Sequence, residues 1–253
     1  MHNEVAFPLH AARGAAYLTA PNIAARHAFS TRLGGVSTGV LESLNLSVRR
    51  GDTPENVREN WRRLGAAAGL DLTRAVYAQQ VHSAEVRIAH AADAQPPELE
   101  PRFACDGFVT NEPGVPLAVF MADCLPVLLH DPAVADILGA AVAQMCALGA
   151  HPADIRAAIG PGIGACCFEV GPEVVAAAEA LLHAPLGALA RPRADGKALL
   201  DLKGVNARRL VQLGVPAGQI TVSDACTMCR PDVFWSHRAT DGRRGVQAAV
   251  ITL

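Results

Sequence analysis

The sequence lacks the features that would direct it to a membrane, to nucleic acid or to secretion. It has no run of about 18 uncharged apolar residues, because Asp123 interrupts the best candidate for a membrane span. Its 22 basic and 24 acidic residues give a net charge of -2 without a dense Lys/Arg run. The first twenty residues lack the basic start and continuous apolar stretch of a secretory signal. We therefore expect neither a membrane nor a nucleic acid as partner.

The cysteine content does not indicate a disulfide framework. Seven Cys, an odd number, are scattered over 253 residues, which is typical of reduced thiols in a cytoplasmic protein. No internal repeat or low-complexity linker divides the chain, and 51% hydrophobic residues are enough for a substantial core. We expect one α+β domain over residues 1–253, with mixed β-sheets and flanking helices, in the cytoplasm as a monomer or homodimer.

The sequence does contain one apolar stretch, residues 115–130, that is interrupted by two reactive side chains. Apolar runs at 117–121 and 126–129 are typical of strands, and Asp123 and Cys124 lie between them. A buried polar group without a partner costs roughly 2–7 kcal/mol, so these two side chains need partners. The plainer interpretation is a turn-capping Asp beside a small core Cys.

Periodicity and capping residues predict further elements. Asp52, followed by Pro54 and Glu55, indicates the start of a helix with Asp52 as its cap. Other predicted helices cover residues 136–148, 172–183 and 202–213, and predicted strands cover 15–18, 25–29, 75–82, 106–110, 155–159 and 219–223. The tail, residues 233–253, is predicted to form a hairpin.

Three polar residues outside the central stretch are candidates for a site. His82 stands at the end of the predicted strand 75–82. The loop at 30–39 surrounds Arg32 with hydroxyls and glycines, which suits a phosphate or carboxylate, although a plain surface loop explains it equally well. His27 lies among apolar neighbours, where a lone His is more often a satisfied core residue than a ligand.

Cys226 and Cys229 have the Cys-x-x-Cys spacing of redox and zinc motifs. No second Cys or His pair stands at zinc-finger distance, and no thioredoxin-like unit surrounds the two residues. We therefore interpret them as a pair without a redox or metal-binding role.

Many short motifs, in order from about residue 25 to the end, resemble the YfiH-like, laccase-domain family, also called peptidoglycan editing factors. They include HAFSTRLGGVS at 27–37, QVH at 80–82, DGFVT at 106–110, ADCLPV at 122–127, IGPGIG at 159–164, FEVG at 168–171 and the tail at 236–245. The resemblance implies a four-layer α/β/β/α fold and a zinc-dependent purine nucleoside phosphorylase. Such enzymes convert adenosine, inosine or methylthioadenosine and phosphate to free base and pentose 1-phosphate, and adenosine deaminase activity is also implied.

The resemblance also implies site residues. Carried over motif by motif, the zinc ligands fall on His82 and Cys124. We assign Arg32, His27 and Asp123 to the binding of substrate and phosphate. A His/Cys/His set with an open fourth position suits Zn²⁺, and the partners expected at the site are a nucleoside and phosphate.

The third zinc ligand of the family does not carry over. In relatives it is the His of a His-Ala-Gly-Trp-Arg-Gly motif, but this sequence passes directly from Ala135 to Asp136. Either a strand of roughly a dozen residues is truly deleted, which would damage folding as well as catalysis, or the sequence omits a segment that the natural chain contains. The close match of the flanking motifs favours omission.

Three alternatives stay open. Without metal, Cys124 as nucleophile and His82 as base would make a hydrolase that edits peptidoglycan precursors. Older family names imply copper-dependent polyphenol oxidation, but nine His without one His-x-His pair make copper the weaker cofactor. A true deletion would favour a catalytically impaired relative that keeps the fold as a binding protein.

Overall fold

The computed structural model describes residues 4–130 and 137–253. Within these residues there are four α-helices: α1 Pro54–Ala68, α2 Ile137–Ala147, α3 Pro172–Leu182 and α4 Leu202–Gln212. The strands are β1 Glu4–Val5, β2 Leu9–Ala12, β3 Ala15–Leu18, β4 Arg26–Ser30, β5 Ala78–Gln79, β6 Val86–Ile88, β7 Phe103–Ala104, β8 Gly107–Val109, β9 Leu117–Met121, β10 Val127–His130, β11 Arg156–Ile159, β12 Glu169–Val170, β13 Ala190–Pro192, β14 Ala198–Leu200, β15 Ile220–Ser223 and β16 Gln247–Thr252. None of these helices has the length and apolar character that crossing a membrane requires.

Two larger sheets organise the fold. The five-stranded sheet has the order β2-β3-β4-β16-β9, and β16 pairs antiparallel with both β4 and β9. The four-stranded sheet has the order β1-β15-β11-β10, in which β10 and β11 are antiparallel while β15 runs parallel to both β1 and β11. Three small sheets, β12-β14-β13, β5-β7 and β6-β8, surround them.

Side-chain alternation along β16 shows that both faces of the five-stranded sheet are covered. Ala248 and Val250 belong to the core that α1 covers with Trp61 and Leu64. Ala249, between them, belongs to a second core, which the two sheets share. Because neighbouring residues of a strand point to opposite faces, this one strand is buried on both sides.

The same alternation on β11 places the outer helices. Ala158 joins the core between the sheets. Ala157 and Ile159 point the other way and pack with Leu138 of α2 and Leu210 of α4. The layers are therefore α1, the five-stranded sheet, the four-stranded sheet, and α2 with α4. The α+β class and the four-layer α/β/β/α prediction are confirmed.

The predicted helices and most predicted strands are present, with ends shifted by one or two residues. The cap of α1 is different from the prediction: Thr53 accepts a hydrogen bond from the Asn56 amide at 3.2 Å, so it is Thr53 that caps the helix. Asp52 instead accepts side-chain hydrogen bonds from Ser37 at 2.6 Å, Asn45 at 2.9 Å and Asn56 at 2.9 Å. Asp52 therefore joins two loops to the helix start.

The predicted tail hairpin is wrong. Only Gln247–Thr252 forms a strand, and it lies in the middle of the five-stranded sheet. Its two edges are occupied by β4 and β9, so neither edge remains for residues 233–238. That segment forms a loop, whose Trp235 amide donates to the Gln247 side chain at 2.8 Å.

Two other predictions have different outcomes. The strand predicted over 75–82 pairs regularly only at Ala78–Gln79, with isolated bridges at Ala75 and Val76. The junction between Ala135 and Asp136 lies outside the described residues.

Asp52 gives the stability a testable pH dependence. Burial would raise its pKa, but hydrogen bonds from Asn45, Ser37, Asn56 and Thr53 together lower it. The ionised form is thus favoured by folding, so its contribution is present above about pH 4 and is lost as pH falls through the lowered pKa. We expect Asp52→Asn to cost about 1–2 kcal/mol at neutral pH.

The measurement is the free energy of unfolding in urea at several pH values from neutral to acid. The difference between wild type and Asp52→Asn should shrink as the solution becomes acidic. Asp232→Asn, at a side chain that is 70% exposed, is the matched control. A difference that stays constant with pH would contradict this role of Asp52.

Candidate active site

The chain passes from one sheet to the other in the turn that follows β9 and precedes β10. In this turn Asp123 has a left-handed backbone, with φ 79°. Its nearly buried carboxylate accepts hydrogen bonds from the Thr227 hydroxyl at 2.6 Å, the Ser236 hydroxyl at 3.0 Å and the Arg238 amide at 2.7 Å. One carboxylate therefore joins three segments of the chain and fixes the backbone of the next residue, Cys124.

A second carboxylate positions His82. Asp106 accepts hydrogen bonds from the amides of Val81 at 3.1 Å, His82 at 2.9 Å and Ser83 at 2.8 Å, and from the Ser83 hydroxyl at 2.8 Å. His82 has φ 58°, a conformation that cannot continue the preceding strand. Burial would raise the pKa of Asp106, but these hydrogen bonds lower it. The imidazole of His82 is therefore exposed, while the backbone that carries it is held by the Asp106 carboxylate.

His82 and Cys124 line the same cavity, which has a volume of about 340 Å³. This volume is in the range of small-molecule sites. The aromatic residues Tyr77 and Phe120 and three arginines, Arg49, Arg50 and Arg244, also line it. The cavity therefore combines a thiol and an imidazole with positive charge and flat apolar walls.

Arg244 is the feature of this cavity that indicates an anionic ligand. Its side chain is nearly buried, with Nη1 3.2 Å from the Gly245 carbonyl and Nη2 3.3 Å from Nδ1 of His237. Nε has no hydrogen-bond partner among the residues that the structure describes. Burial, together with the charge of Arg50, lowers the pKa of Arg244 to about 10, so it stays protonated at neutral pH. A buried cation with an unused donor suits a phosphate or carboxylate.

The electrostatic environment of Cys124 has opposing contributions. The thiol is solvent-accessible at the cavity, but desolvation by the surrounding protein raises its pKa. The positive charge of Arg244 opposes this effect and the negative charge of Asp123 adds to it. In the protein alone the thiol form is therefore favoured at neutral pH.

The structure places the other predicted site residues away from this cavity. Arg32 donates to the Glu42 carbonyl at 2.6 Å and to the Pro231 carbonyl at 2.8 Å, and its guanidinium lies 4.0 Å from the centre of the Trp235 ring. His27 is buried, with Nε2 accepting from the Ala20 amide at 2.7 Å. Arg32 and His27 thus have hydrogen-bond partners within the protein. Their assignment to substrate binding stays a prediction.

Sequence reasoning missed the arginines of the cavity. Arg244 stands in the motif at 241–245, where two adjacent arginines lie between glycines, and that is the only sequence signal for it. Arg50 belongs to a short 3₁₀ turn, and no motif marks it. The carboxylate of Asp123 accepts three hydrogen bonds within the protein, and its assignment to substrate binding stays a prediction.

The donor set at the cavity is incomplete for a catalytic zinc ion, which ordinarily has three protein ligands. Residues 4–130 and 137–253 contain one group of at least three His, Cys, Asp or Glu side chains close enough to share a metal, and neither His82 nor Cys124 belongs to it. This group is Cys166, Cys167, Cys226 and Cys229. The prediction that Cys226 and Cys229 have no redox or metal-binding role was based on the lack of a second pair nearby in the sequence, and folding supplies such a pair from far upstream.

A larger cavity of about 440 Å³ shares Cys124 and Phe120 with the first. Its wall consists largely of aliphatic side chains from β9, β10 and α2, and it includes Leu129 and Ile137, which flank the undescribed stretch. Among the described residues that line it, Asp106 alone has a charged side chain, so the smaller cavity is the better candidate for an anionic substrate.

Asp123 is expected to be a major source of stability. Asp123→Ala leaves two buried hydroxyls and the partly buried Arg238 amide without this acceptor, so we expect it to lower the free energy of unfolding by on the order of 3 kcal/mol. Asp123→Asn, which keeps the shape and one acceptor oxygen, should cost less. The measurement is urea unfolding, with Asp195→Ala at an exposed turn as control. An alanine variant as stable as the control would refute this account.

Comparison with known proteins agrees with the fold and the motifs. A purine nucleoside phosphorylase of Deinococcus radiodurans is 41% identical over 257 residues, covering 96% of this chain and 94% of that protein. Adenosine deaminase RL5, from an unknown prokaryotic organism, is 34% identical and covers 83% and 87% of the two chains. The crystal structure of YlmD from Geobacillus stearothermophilus superposes with a TM-score of 0.83 at 33% identity and covers 97% and 98%.

The family described as multi-copper polyphenol oxidoreductase laccase matches residues 26–253. This range contains both larger sheets except strands β1, β2 and β3, and it contains all residues of the candidate site. The chain therefore belongs to this laccase family, which is the YfiH-like family that its motifs resemble.

Proposed function

We propose that this chain is a purine nucleoside phosphorylase whose active site is the cavity lined by His82, Cys124 and Arg244. The observation that carries the proposal is the unpartnered Nε of Arg244, a buried cationic donor beside the thiol. The names of the relatives support the type of reaction, because a phosphorylase needs an anion site next to its nucleoside.

Phosphate binds at the arginine side of the cavity. Arg244 offers Nε, and Arg50 supplies a second positive charge. Burial and, after it, the positive charge of Arg50 lower the pKa of Arg244, and a phosphate dianion between the two arginines offsets their repulsion. The nucleoside occupies the remaining volume, where Phe120 and Tyr77 provide walls for a purine ring.

In the reaction, a phosphate oxygen forms a bond to C1′ of the ribose while the bond from C1′ to the purine nitrogen breaks. The bonding pair leaves with the base, which takes up a proton. Positive charge develops on the ribose and is met by the bound phosphate. The contribution of the chain is to hold both reactants in line and to exclude water.

Zinc dependence is a further part of the proposal. His82 and Cys124 are donors that suit Zn²⁺, and when bound the ion would keep the thiol ionised and act as a Lewis acid. The described residues offer no third ligand, and the positioning of phosphate and nucleoside depends on residues of the chain alone. No group of imidazoles within the described residues matches a multicopper centre.

Adenosine deamination is a second candidate activity, favoured by the name of the RL5 relative. It would use the same cavity and replace the amino group of the purine by oxygen from water. It is distinguished by its products, because deamination of adenosine yields inosine without phosphate, whereas phosphorolysis yields adenine and requires phosphate.

Arg244 provides the first test. We expect Arg244→Met to raise the KM for phosphate by roughly 10–100-fold, because a charged hydrogen bond and its charge are lost. Arg244→Lys should recover part of the effect. The assay follows free base from inosine at varied phosphate. Arg191→Met, at an exposed position of β13 outside the cavity, is the matched control. An unchanged KM in Arg244→Met would remove the phosphate assignment.

The second test concerns the metal. We expect His82→Ala and Cys124→Ser each to lower kcat/KM by on the order of 100-fold or more, and a chelator to inactivate the wild type until Zn²⁺ is restored. Full phosphorolysis by metal-free protein would end the zinc proposal. Metal-free cleavage of peptidoglycan fragments that depends on Cys124 would instead support the hydrolase alternative.

A further inference from the structure

We propose that Cys166, Cys167, Cys226 and Cys229 form a second, structural zinc site that joins the loop after β11 to the loop after β15. These cysteines do not line the candidate active site. The inference is independent of the proposed function, since it rests on four side chains that the reaction does not use.

The sulfur positions fit one tetrahedral ion. The four Sγ atoms all lie within 4.8 Å of one another. Cys229 Sγ is 3.5 Å from Cys166 Sγ and 3.4 Å from Cys167 Sγ. A tetrahedron with Zn–S bonds of about 2.3 Å has its sulfurs about 3.8 Å apart. The observed group is therefore close to the size that a single zinc ion imposes, and too small to enclose an iron–sulfur core.

The arrangement does not favour a disulfide. An S–S bond is about 2.0 Å long and joins two sulfurs only. Cys229 is nearly equidistant from Cys166 and Cys167 and therefore has no single partner. Three or four convergent thiols are the typical donor set of a soft, tetrahedral metal site.

Backbone amides next to the four-cysteine group can donate hydrogen bonds to a thiolate sulfur. The Gly164 amide donates a hydrogen bond to Cys226 Sγ at 3.2 Å, and the Cys229 amide is a second donor to this sulfur. A Cβ on Gly164 would lie 3.3 Å from Cys166 Sγ and 3.2 Å from Cys226 Cβ, so glycine leaves room for the sulfurs. Amide donors that orient a ligand sulfur are a regular part of metal sites.

A buried cation lies next to the group. Lys203 is 1% exposed and donates to the carbonyls of Ser223 at 2.5 Å and Ala225 at 3.1 Å, the latter adjacent to Cys226. Its nearest carboxylate is Glu4 at 3.9 Å, which is 43% exposed. A zinc ion with four thiolates carries a net charge of -2, and the Lys203 ammonium lies within electrostatic range of Cys226. The negatively charged complex of zinc and four thiolates would thus give this buried lysine a counter-charge.

The site would also support the turn that carries Cys124. Thr227, between the two cysteines of the second pair, donates to the Asp123 carboxylate, and the Ile163 amide donates to the Asp123 carbonyl at 2.9 Å. The Thr227 amide donates to the Gly162 carbonyl at 3.0 Å. An ion that holds both loops therefore holds two of the groups that fix Asp123, the Thr227 hydroxyl and the Ile163 amide.

Metal content of the full-length protein tests the proposal. We expect one equivalent of tightly bound zinc to remain in the double variant His82→Ala/Cys124→Ser and to be lost in Cys226→Ser/Cys229→Ser. Cys146→Ser, at an exposed cysteine outside the group, is the matched control and should keep the ion. Loss of the ion should lower the thermal midpoint by on the order of 10 °C.

A cobalt measurement keeps the proposal testable if the serine variants fail to fold. Wild-type protein reconstituted with Co²⁺ should show the absorption of a tetrahedral four-thiolate site, and Gly164→Ala should weaken it. The proposal is overturned if the His82→Ala/Cys124→Ser protein binds no zinc, if iron is found instead, or if intact mass reveals a disulfide among the four cysteines.

Discussion

The structure depends on one buried carboxylate at the point where the chain leaves the first sheet for the second. Asp123 follows β9, precedes β10 and accepts from three donors on the segments around Thr227 and Ser236. An ionised group in this position would destabilise the fold without those donors, because a buried charge needs partners. With them, it fixes a left-handed backbone that places the next side chain, Cys124, at a cavity.

A second carboxylate, that of Asp106, fixes the loop on the other side of the cavity. Asp106 binds three successive amides and a hydroxyl of the loop that carries His82. In both cases the carboxylate is hydrogen-bonded to the chain itself and orients the neighbouring reactive group. The polar side chains that line the cavity include His82, Cys124 and the arginines, and these suit a reaction between an anion and a neutral molecule.

Sulfur chemistry occurs at two places with different surroundings. Cys124 is a lone thiol at a cavity with an arginine nearby, whereas the four-cysteine group lies between two loops, where the Gly164 amide donates to the Cys226 sulfur. The family name refers to copper, but thiolates and a single imidazole are donors that suit zinc better than a multicopper cluster. The two places are linked through Thr227 and Asp123, so the loops of the cysteine group also support the candidate active site.

The sequence by itself determined the four helices, most strands and the α+β class, because helix caps, period-2 alternation and ordered motifs are local properties. It also singled out His82 and Cys124, which the structure brings to one cavity. Only the tertiary structure decided that β16 is a central strand, since that depends on which edges other strands occupy. It also decided that Arg244 is buried beside Cys124 and that Cys166 and Cys167 meet Cys226 and Cys229. These contacts join residues far apart in the chain, and spacing along a sequence does not encode which distant loops the packing of two sheets brings together.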